Sequence, residues 1–322
     1  MRVVIYGVGA IGGVIAARLA LIGRDVIGIA RGAQLAAIRQ HGLLLRTPDK
    51  VETAHFSCVG APDAIDWRPD DVIFLTMKTQ DTQAALQALR DAGVTDQAIF
   101  CFQNGVANET MALRLFPNVY GVMVGMPADY LTPGEVNVFG SPVHGIFDIG
   151  RFPRGVDAVT RAVAELLAPA GFMAAQHEDV MRSKYAKLLM NLGNIISAAL
   201  ADEAVRKPYL AAARAEADAV LAAAGITADK EAGIHRGFLK MHDIPGVRRS
   251  GSSSSQSLVR GAGSIETDYL NGEIVLLARR LGLPAPVNSY FCGLAHHMLA
   301  ANLAPGSIDP AELARALPQI GA

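Results

Sequence analysis

The chain has 322 residues, enough for two domains of ordinary size, and 51% of them are hydrophobic against 18% that are charged. This composition supports a large buried core and argues against a disordered chain. The formal net charge of −1 gives no electrostatic case for a nucleic-acid-binding or membrane-surface protein, and no uncharged apolar run is long enough to span a membrane. The three scattered cysteines, Cys58, Cys101 and Cys292, are typical of reduced, buried thiols in the cytoplasm.

The chain opens with a glycine pattern between a strand and a helix. Val3–Ile5 is a short apolar run, and a helical stretch covers residues 14–22. Between them the sequence has the form G-x-G-x-x-G, typical of a turn in which backbone N–H groups and a helix N-terminus approach a pyrophosphate. We therefore expect a dinucleotide to bind at Gly7, Gly9, Ala10, Ile11 and Gly12.

Two other interpretations use the same residues. The opening stretch also has the apolar character of a secretory signal, but Arg18 interrupts it and the glycines keep strand-to-helix spacing. A glycine-rich turn that binds no nucleotide is the second alternative.

The next part of the chain alternates short apolar runs with helical stretches, which predicts a mostly parallel, doubly wound sheet with helices on both faces. The predicted strands are Val3–Tyr6, Val26–Ala30, Val72–Thr76 and Ala98–Phe102. Three more are expected to extend this sheet as hairpins: Tyr120–Met126, Glu135–Phe139 and Val143–Gly150.

After Phe172–Gln176 the pattern is helical, which predicts an all-α C-terminal domain. We place the domains at residues 1–177 and 178–322. The serine-rich run at residues 250–255 is interpreted either as a flexible linker or as an ordered loop rich in hydroxyl groups. The histidines are scattered, and no metal site is expected.

The end of the second strand indicates which dinucleotide binds. NAD favours an acidic residue there for its ribose hydroxyl, whereas NADP favours a cation for its 2′-phosphate. This strand runs into Arg31 and has no acid. We therefore expect NADPH to be preferred, with Arg31 on the 2′-phosphate. A solvated surface arginine is the alternative.

Polar residues at strand ends and on the helices are candidates for the chemistry. Lys78 and Asn104 follow two predicted strands at the edge where doubly wound sheets bind ligands, although either is also compatible with an ordinary loop. Four residues at helical spacing form a polar stripe that faces either a ligand or solvent: Lys184, Lys187, Asn191 and Asn194. Glu266, after the serine run that contains Ser254, either binds substrate or belongs to a helix cap.

Taken in order, these segments resemble the ketopantoate reductase family over nearly the whole chain. Besides the glycine turn and Arg31, the resemblance rests on Met77-Lys78-Thr79, Gln103-Asn104-Gly105, Lys187-Leu188-x-x-Asn191, Glu266-x-Asp268-Tyr269-Leu270-Asn271-Gly272 and Leu283-Pro284-x-Pro286-Val287-Asn288. It implies a Rossmann-type N-terminal domain, an all-helical C-terminal domain and an active site in the cleft between them. It also implies NADPH-dependent reduction of a 2-oxo acid, 2-dehydropantoate in the members that name the family, on the route to coenzyme A.

The resemblance also assigns roles to residues. Lys187 matches the catalytic lysine that gives a proton to the carbonyl, and Glu266 matches the acid that supports substrate binding. Asn191 and Ser254 match substrate-binding positions. Asn104 matches the amide between cofactor and substrate, and Lys78 matches a lysine on the cofactor side. The sequence itself does not fix the oligomeric state and is compatible with a homodimer through the helical domain.

Three departures from the family pattern lie on the substrate side. Asn194 comes one residue early, so Ile195 stands where the family has its second helix asparagine; residues 255–258 differ from the usual Met-x-Gln-Asp; and Ile265 replaces a threonine. The sequence therefore predicts a 2-dehydropantoate reductase, with two alternatives: a reductase of another 2-oxo or imino acid, and a non-catalytic NADP(H)-binding sensor.

Overall fold

The computed structural model describes residues 1–229, 237–261 and 263–320. The chain forms two compact units. The first unit comprises Met1–Lys184 and Lys230–Arg248, and the second comprises Tyr185–Asp229 and Arg249–Ala322. The predicted domain limits, 1–177 and 178–322, stay a prediction.

The first unit alternates strands and helices, as the sequence pattern predicts. Its elements are β1 (Val3–Tyr6), α1 (Ala10–Leu21), β2 (Val26–Ile29), α2 (Gly32–His41), β3 (Leu43–Arg46), β4 (Val51–Ala54), β5 (Ser57–Val59), β6 (Val72–Leu75), α3 (Thr82–Asp91), β7 (Ala98–Cys101), α4 (Asn108–Leu113), β8 (Val119–Gly125), β9 (Ala128–Asp129), β10 (Glu135–Val138), β11 (Gly145–Arg151), α5 (Ala158–Leu167), β12 (Phe172–Gln176) and the first part of α6 (Val180–Asn191).

The main sheet has eight strands in the order β12-β11-β8-β7-β6-β1-β2-β5. In this spatial order, every adjacent pair in the stretch β8-β7-β6-β1-β2-β5 is parallel. At the other end of the sheet, β11 is antiparallel to β8, and β12 is parallel to β11. In the register of β1, Tyr6 pairs with both Ile29 and Leu75. The loops after β1, β2, β6 and β7 therefore leave the same edge of the sheet, where doubly wound folds bind their ligands.

Apolar side chains cover both faces of this sheet. Val3 and Ile5 belong to one buried cluster and Val4 belongs to another, because successive side chains of a strand point to opposite faces. The prediction of a mostly parallel, doubly wound sheet is confirmed.

The prediction that Glu135–Phe139 extends the main sheet is wrong. β10 lies in a second, four-stranded sheet of order β4-β3-β10-β9, parallel to β3 and antiparallel to β9. Val136 and Val138 are fully buried in the core cluster that includes α1. A side chain on Gly13 of α1 would collide with Val136, so this glycine lets the small sheet lie close to the helix.

The second unit is helical, and the predicted all-α C-terminal part is confirmed. Besides the end of α6 it contains α7 (Gly193–Ala199), α8 (Glu203–Ala223), α9 (Ser253–Val259), α10 (Asn271–Leu281), α11 (Pro286–Ala300) and α12 (Pro310–Ala316). Its core includes Ile195 and Ile196 of α7 with Phe291 and Met298 of α11. Within the described residues, no helix is long and apolar enough to cross a membrane.

The serine run is an ordered loop only over residues 250–252. Residues from Ser253 onward form α9, and the Ser252 hydroxyl accepts a hydrogen bond from the N–H of Ser255 at 3.2 Å. Serine is a strong N-cap residue, so the run marks a helix start.

Candidate active site

The glycine turn has the backbone geometry that a phosphate site needs. Gly7 has φ +105°, which suits glycine alone, and any side chain at Gly12 would collide with the Gly7 carbonyl and the Thr76 hydroxyl. That hydroxyl in turn donates to the carbonyls of Tyr6 and Gly7, at 3.0 and 2.8 Å. The turn is therefore held against the end of β6.

The N-terminus of α1 is open to a ligand. Gly9 is its N-cap, no side chain caps it, and its first turn has no acidic residue. A Cβ built on Gly9 meets no atom within 4 Å, so its backbone borders open space. Free N–H groups and the positive end of the helix dipole suit an anionic group. The residues present therefore fit the pyrophosphate of a dinucleotide.

Arg31 lies where the sequence predicts a contact with the 2′-phosphate, two residues after the end of β2. It is the N-cap of α2, and its side chain is 77% exposed. Its Nη2 lies 3.5 Å from Oδ1 of Asp81, in the loop after β6. No sequence motif indicated a role for Asp81.

The loops that carry Lys78 and Asn104 are tied together by buried side chains. Gln103 donates to the Met77 carbonyl at 2.9 Å and to the Thr82 hydroxyl at 2.7 Å. Asn108 is completely buried and donates to the Asn104 carbonyl at 3.0 Å. Because these amides are buried and hydrogen-bonded, they hold the two loops in a fixed arrangement.

A buried ion pair lies beneath the Asn104 loop. Lys184 Nζ is 2.6 Å from Glu109 Oε1, and these side chains are 2% and 0% exposed. The same ammonium donates to the carbonyls of Gln103, at 2.8 Å, and Val122, at 3.2 Å. Lys184 therefore takes part in a buried contact within the first unit and is not a solvent-exposed member of the polar stripe.

The rest of the stripe lies at the junction of α6 and α7. Lys187 is half-buried and Asn191 is buried on α6, while Asn194 is half-buried on α7. Asn194 donates from Nδ2 to the Ser253 hydroxyl at 3.1 Å, and its carbonyl accepts from Ser252 at 2.8 Å. The structure thus brings the predicted Asn194 next to the start of α9, which carries the predicted Ser254.

Ser254 and Glu266 are buried polar residues, 2% and 6% exposed. Glu266 begins a short 3₁₀ turn, Glu266–Tyr269, ahead of α10. Neither this turn nor α10 has a side-chain cap, so the capping interpretation of this segment is not supported. A few buried polar groups of this kind are common in sites that bind polar ligands.

A buried amide network supports the α6–α7 junction. Asn271 donates to the carbonyl of Leu192, the residue between the two helices, at 3.2 Å, and to Oδ1 of Asn288 at 3.0 Å. Glu216 accepts hydrogen bonds at 2.9 Å from the N–H groups of Val287 and Asn288, at the start of α11. Asn271 and Asn288 were part of the family resemblance, but nothing in the local sequence indicated Glu216.

The cysteines do not have the character of nucleophiles. All three are free thiols. Burial raises the pKa of Cys58 to about 11 and that of Cys292 to about 12, and it raises the pKa of Cys101 well above the usual range. A thiol is nucleophilic mainly as thiolate, so these residues stay unreactive at neutral pH. Within the described residues, no group of three potential metal ligands comes together.

Comparisons with known proteins agree on one family. The family model described as Ketopantoate reductase PanE/ApbA matches residues 3–154, and that of its C-terminal part matches residues 179–299. The chain is 31% identical over 296 residues to the 2-dehydropantoate 2-reductase of Archaeoglobus fulgidus and 29% identical over 298 residues to that of Pyrococcus horikoshii. Each alignment covers 89% of this chain and 94% of the relative.

Solved structures share the fold. A PanE/ApbA family ketopantoate reductase from Ralstonia eutropha has a TM-score of 0.76 at 26% identity, covering 94% of this chain and 99% of that one. A D-mandelate dehydrogenase bound to NADH and anilino(oxo)acetate has a TM-score of 0.78 at 23% identity, with the same coverage. At 23% identity, the similarity to the D-mandelate dehydrogenase shows a shared fold and nothing more.

Proposed function

Since this chain belongs to the ketopantoate reductase family and is an oxidoreductase, we propose that it reduces 2-dehydropantoate to pantoate with NADPH. The observation that carries the proposal is the family match over nearly the whole chain, to relatives named 2-dehydropantoate 2-reductase. The open glycine turn and the buried polar residues of the second unit support it chemically.

The first unit supplies the nucleotide site. The backbone of Gly7, Gly9, Ala10, Ile11 and Gly12 binds the pyrophosphate, and Arg31 binds the 2′-phosphate. Lys78 and Asn104 line the same edge of the sheet and contact the cofactor from the loops after β6 and β7. When bound, the reduced nicotinamide supplies a hydride to the carbonyl carbon of the substrate.

Lys187 acts on the carbonyl oxygen. Reduction of a ketone builds negative charge on that oxygen, and an ammonium within hydrogen-bond reach stabilises the charge and then donates the proton. The half-buried position of Lys187 on α6 supports this role, because partial desolvation strengthens the interaction between ammonium and oxyanion.

Polar residues of the second unit hold the substrate. Glu266 accepts a hydrogen bond from a substrate hydroxyl. Ser254, Asn191 and Asn194 bind the carboxylate and the remaining polar groups, and Asn104 contributes from the nucleotide side. Fixing the carbonyl carbon in front of the nicotinamide removes much of the entropic cost of the reaction.

Reduction of a different 2-oxo or imino acid is the second candidate function. Ile195, at the position of the family's second helix asparagine, is completely buried in the helical core, and the side chain of Asn194 bonds to Ser253. The amide proposed to contact the substrate from α7 is therefore that of Asn194, one residue earlier in the chain than in the family pattern. A non-catalytic NADP(H) sensor is the third candidate, and turnover of any 2-oxo acid excludes it.

The test is NADPH oxidation with four substrates: 2-dehydropantoate, 2-oxoisovalerate, pyruvate and benzoylformate. We expect kcat/KM to be highest for 2-dehydropantoate. Preference for another 2-oxo acid supports the second candidate. No turnover of any substrate, together with measurable NADPH binding, supports the sensor. The homodimer stays a prediction. Sedimentation velocity measures the oligomeric state and tests it.

A further inference from the structure

A carboxylate stands beside the arginine that we assign to the 2′-phosphate. Arg31 follows β2, and Asp81 ends the 3₁₀ turn Thr79–Asp81 after β6. Strand β1 lies between β2 and β6, so these two residues flank the glycine turn from opposite sides. Nη2 of Arg31 and Oδ1 of Asp81 are 3.5 Å apart.

This ion pair is built loosely. Its side chains are 77% and 46% exposed, and the separation is long for a charge-assisted hydrogen bond. Exposed pairs of this kind contribute little to stability. Each of the two side chains can therefore leave the pair and contact a bound ligand at a small cost in free energy.

Two further groups belong to the surroundings of the pair. Lys78 is the N-cap of the same turn, and its carbonyl accepts the N–H of Asp81 at 2.9 Å. Tyr6 ends β1: burial raises its pKa, the charge of Arg31 opposes that shift, and the charge of Asp81 adds to it. Tyr6 thus lies within the field of both charges, next to Gly7.

The two nucleotides respond to these charges in opposite ways. A 2′-phosphate is attracted by Arg31 and repelled by a nearby carboxylate, whereas the 2′-hydroxyl of NADH can donate a hydrogen bond to a carboxylate. The end of β2 supplies no acid, but Asp81 brings one from the loop after β6. Building on the proposed function, we infer that Asp81 determines cofactor specificity: it weakens the preference for NADPH and lets the site accept NADH.

The test measures the dissociation constants of NADPH and NADH by calorimetry without substrate, so that it does not depend on turnover. Asp81→Asn removes the charge and keeps the shape. We expect the ratio Kd(NADH)/Kd(NADPH) to rise by about threefold to tenfold, and the change to shrink at high salt, as expected for exposed charges. The matched control is Asp91→Asn, an exposed carboxylate at the other end of α3 that changes the net charge equally.

A third variant separates this inference from the proposed function. If Arg31→Ala weakens NADPH selectively while Asp81→Asn leaves the ratio within twofold of the wild type, the role of Asp81 is overturned and the NADPH assignment stands. If Arg31→Ala weakens the binding of both nucleotides equally, the assignment of Arg31 to the 2′-phosphate fails. If neither nucleotide binds the wild-type protein, both proposals are overturned.

Discussion

Lys187 is the residue whose removal should separate catalysis from cofactor binding. Because general acid catalysis by a positioned side chain contributes about 10²- to 10⁴-fold, we expect Lys187→Ala to lose that factor in kcat. NADPH binding should stay within about twofold, since the proposed nucleotide site uses only residues of the first unit. Stopped-flow kinetics and calorimetry measure these two quantities.

A control lysine is available in the same unit. Lys207 is exposed on α8 and has no proposed role. Lys207→Ala should therefore keep the wild-type kcat. A fully active Lys187→Ala variant would remove Lys187 from the mechanism.

His144 should make the first unit sensitive to mild acid. It is 6% exposed, and burial lowers its pKa below the usual 6.5. The hydrogen bond to the Gly140 carbonyl and the charge of Asp49 oppose this shift, whereas the charges of Arg18 and Lys50 add to it. Below pH 6.5 this histidine binds a proton in the unfolded chain but not in the folded chain. The free energy of unfolding therefore decreases as the pH falls toward the folded-state pKa of His144. His144→Asn should flatten the decline of Tm over this range.

The exposed His41, on α2, provides the control for that experiment. His41→Asn should retain the wild-type dependence of Tm on pH. An unchanged pH dependence in the His144→Asn variant would mean that other groups dominate the acid response.

At the scale of elements, two glycines at the start of α1 should fail in different ways when replaced by alanine. A Cβ at Gly12 would collide with backbone, so Gly12→Ala should lower the free energy of unfolding by about 1–3 kcal/mol. A Cβ at Gly9 meets open space, so Gly9→Ala should cost about 1 kcal/mol or less. The same substitution should nevertheless weaken NADPH binding about 10- to 100-fold, because the methyl group occupies the place of a phosphate contact.

Thermal unfolding and calorimetry of the two variants give the comparison. The paired pattern is informative because each variant serves as the control for the other. A Gly9→Ala protein that binds NADPH as tightly as the wild type would show that the pyrophosphate does not lie against this turn.

The buried pair of Lys184 and Glu109 should be a strong determinant of stability. Removing one partner of a buried ion pair costs about 3–5 kcal/mol, because the other charge is left unpaired, so Lys184→Met should lower Tm sharply. The double variant Lys184→Met/Glu109→Gln should recover a large part of the loss. The exposed pair Arg214–Asp218 gives the control: Arg214→Met should change stability by less than about 0.5 kcal/mol.

Elements with strong local signals were predictable from the sequence, and those that depend on distant partners were not. β1 and the turn after it follow from the glycine spacing, and the confirmed parallel sheet follows from the alternation of strands and helices. β10 was recognised as a strand but assigned to the wrong sheet, because its partner β3 lies far away in the chain and strand periodicity does not specify a partner.

The same limit applies to the candidate site. Arg31, Lys78 and Asn104 were predicted as site residues because strand ends and family motifs point to them. The burial of Lys184 depends on Glu109 of α4, and the surroundings of Arg31 depend on Asp81 of another loop; no local pattern encodes either contact. Side-chain partners that come from separate elements require the three-dimensional structure.

For the molecule as a whole, the proposed residues divide between two units, each with its own core. All proposed cofactor contacts belong to the first unit, and the proposed substrate contacts other than Asn104 belong to the second. NADPH alone should therefore stabilise the first unit, by about 2.7 kcal/mol at 100 times its Kd. A ligand pair that occupies both sites should affect both units.

Hydrogen exchange read by mass spectrometry distinguishes these effects in the intact chain. With NADPH alone, slower exchange is expected in peptides containing the glycine turn, the start of α2 and the loops after β6 and β7. With NADP⁺ and pantoate together, protection should extend to residues 187–194 and 252–256, because a substrate held by Asn191, Asn194 and Ser254 restricts local opening there. Protection that stays within the first unit under both conditions would contradict the substrate assignment and leave the nucleotide assignment intact.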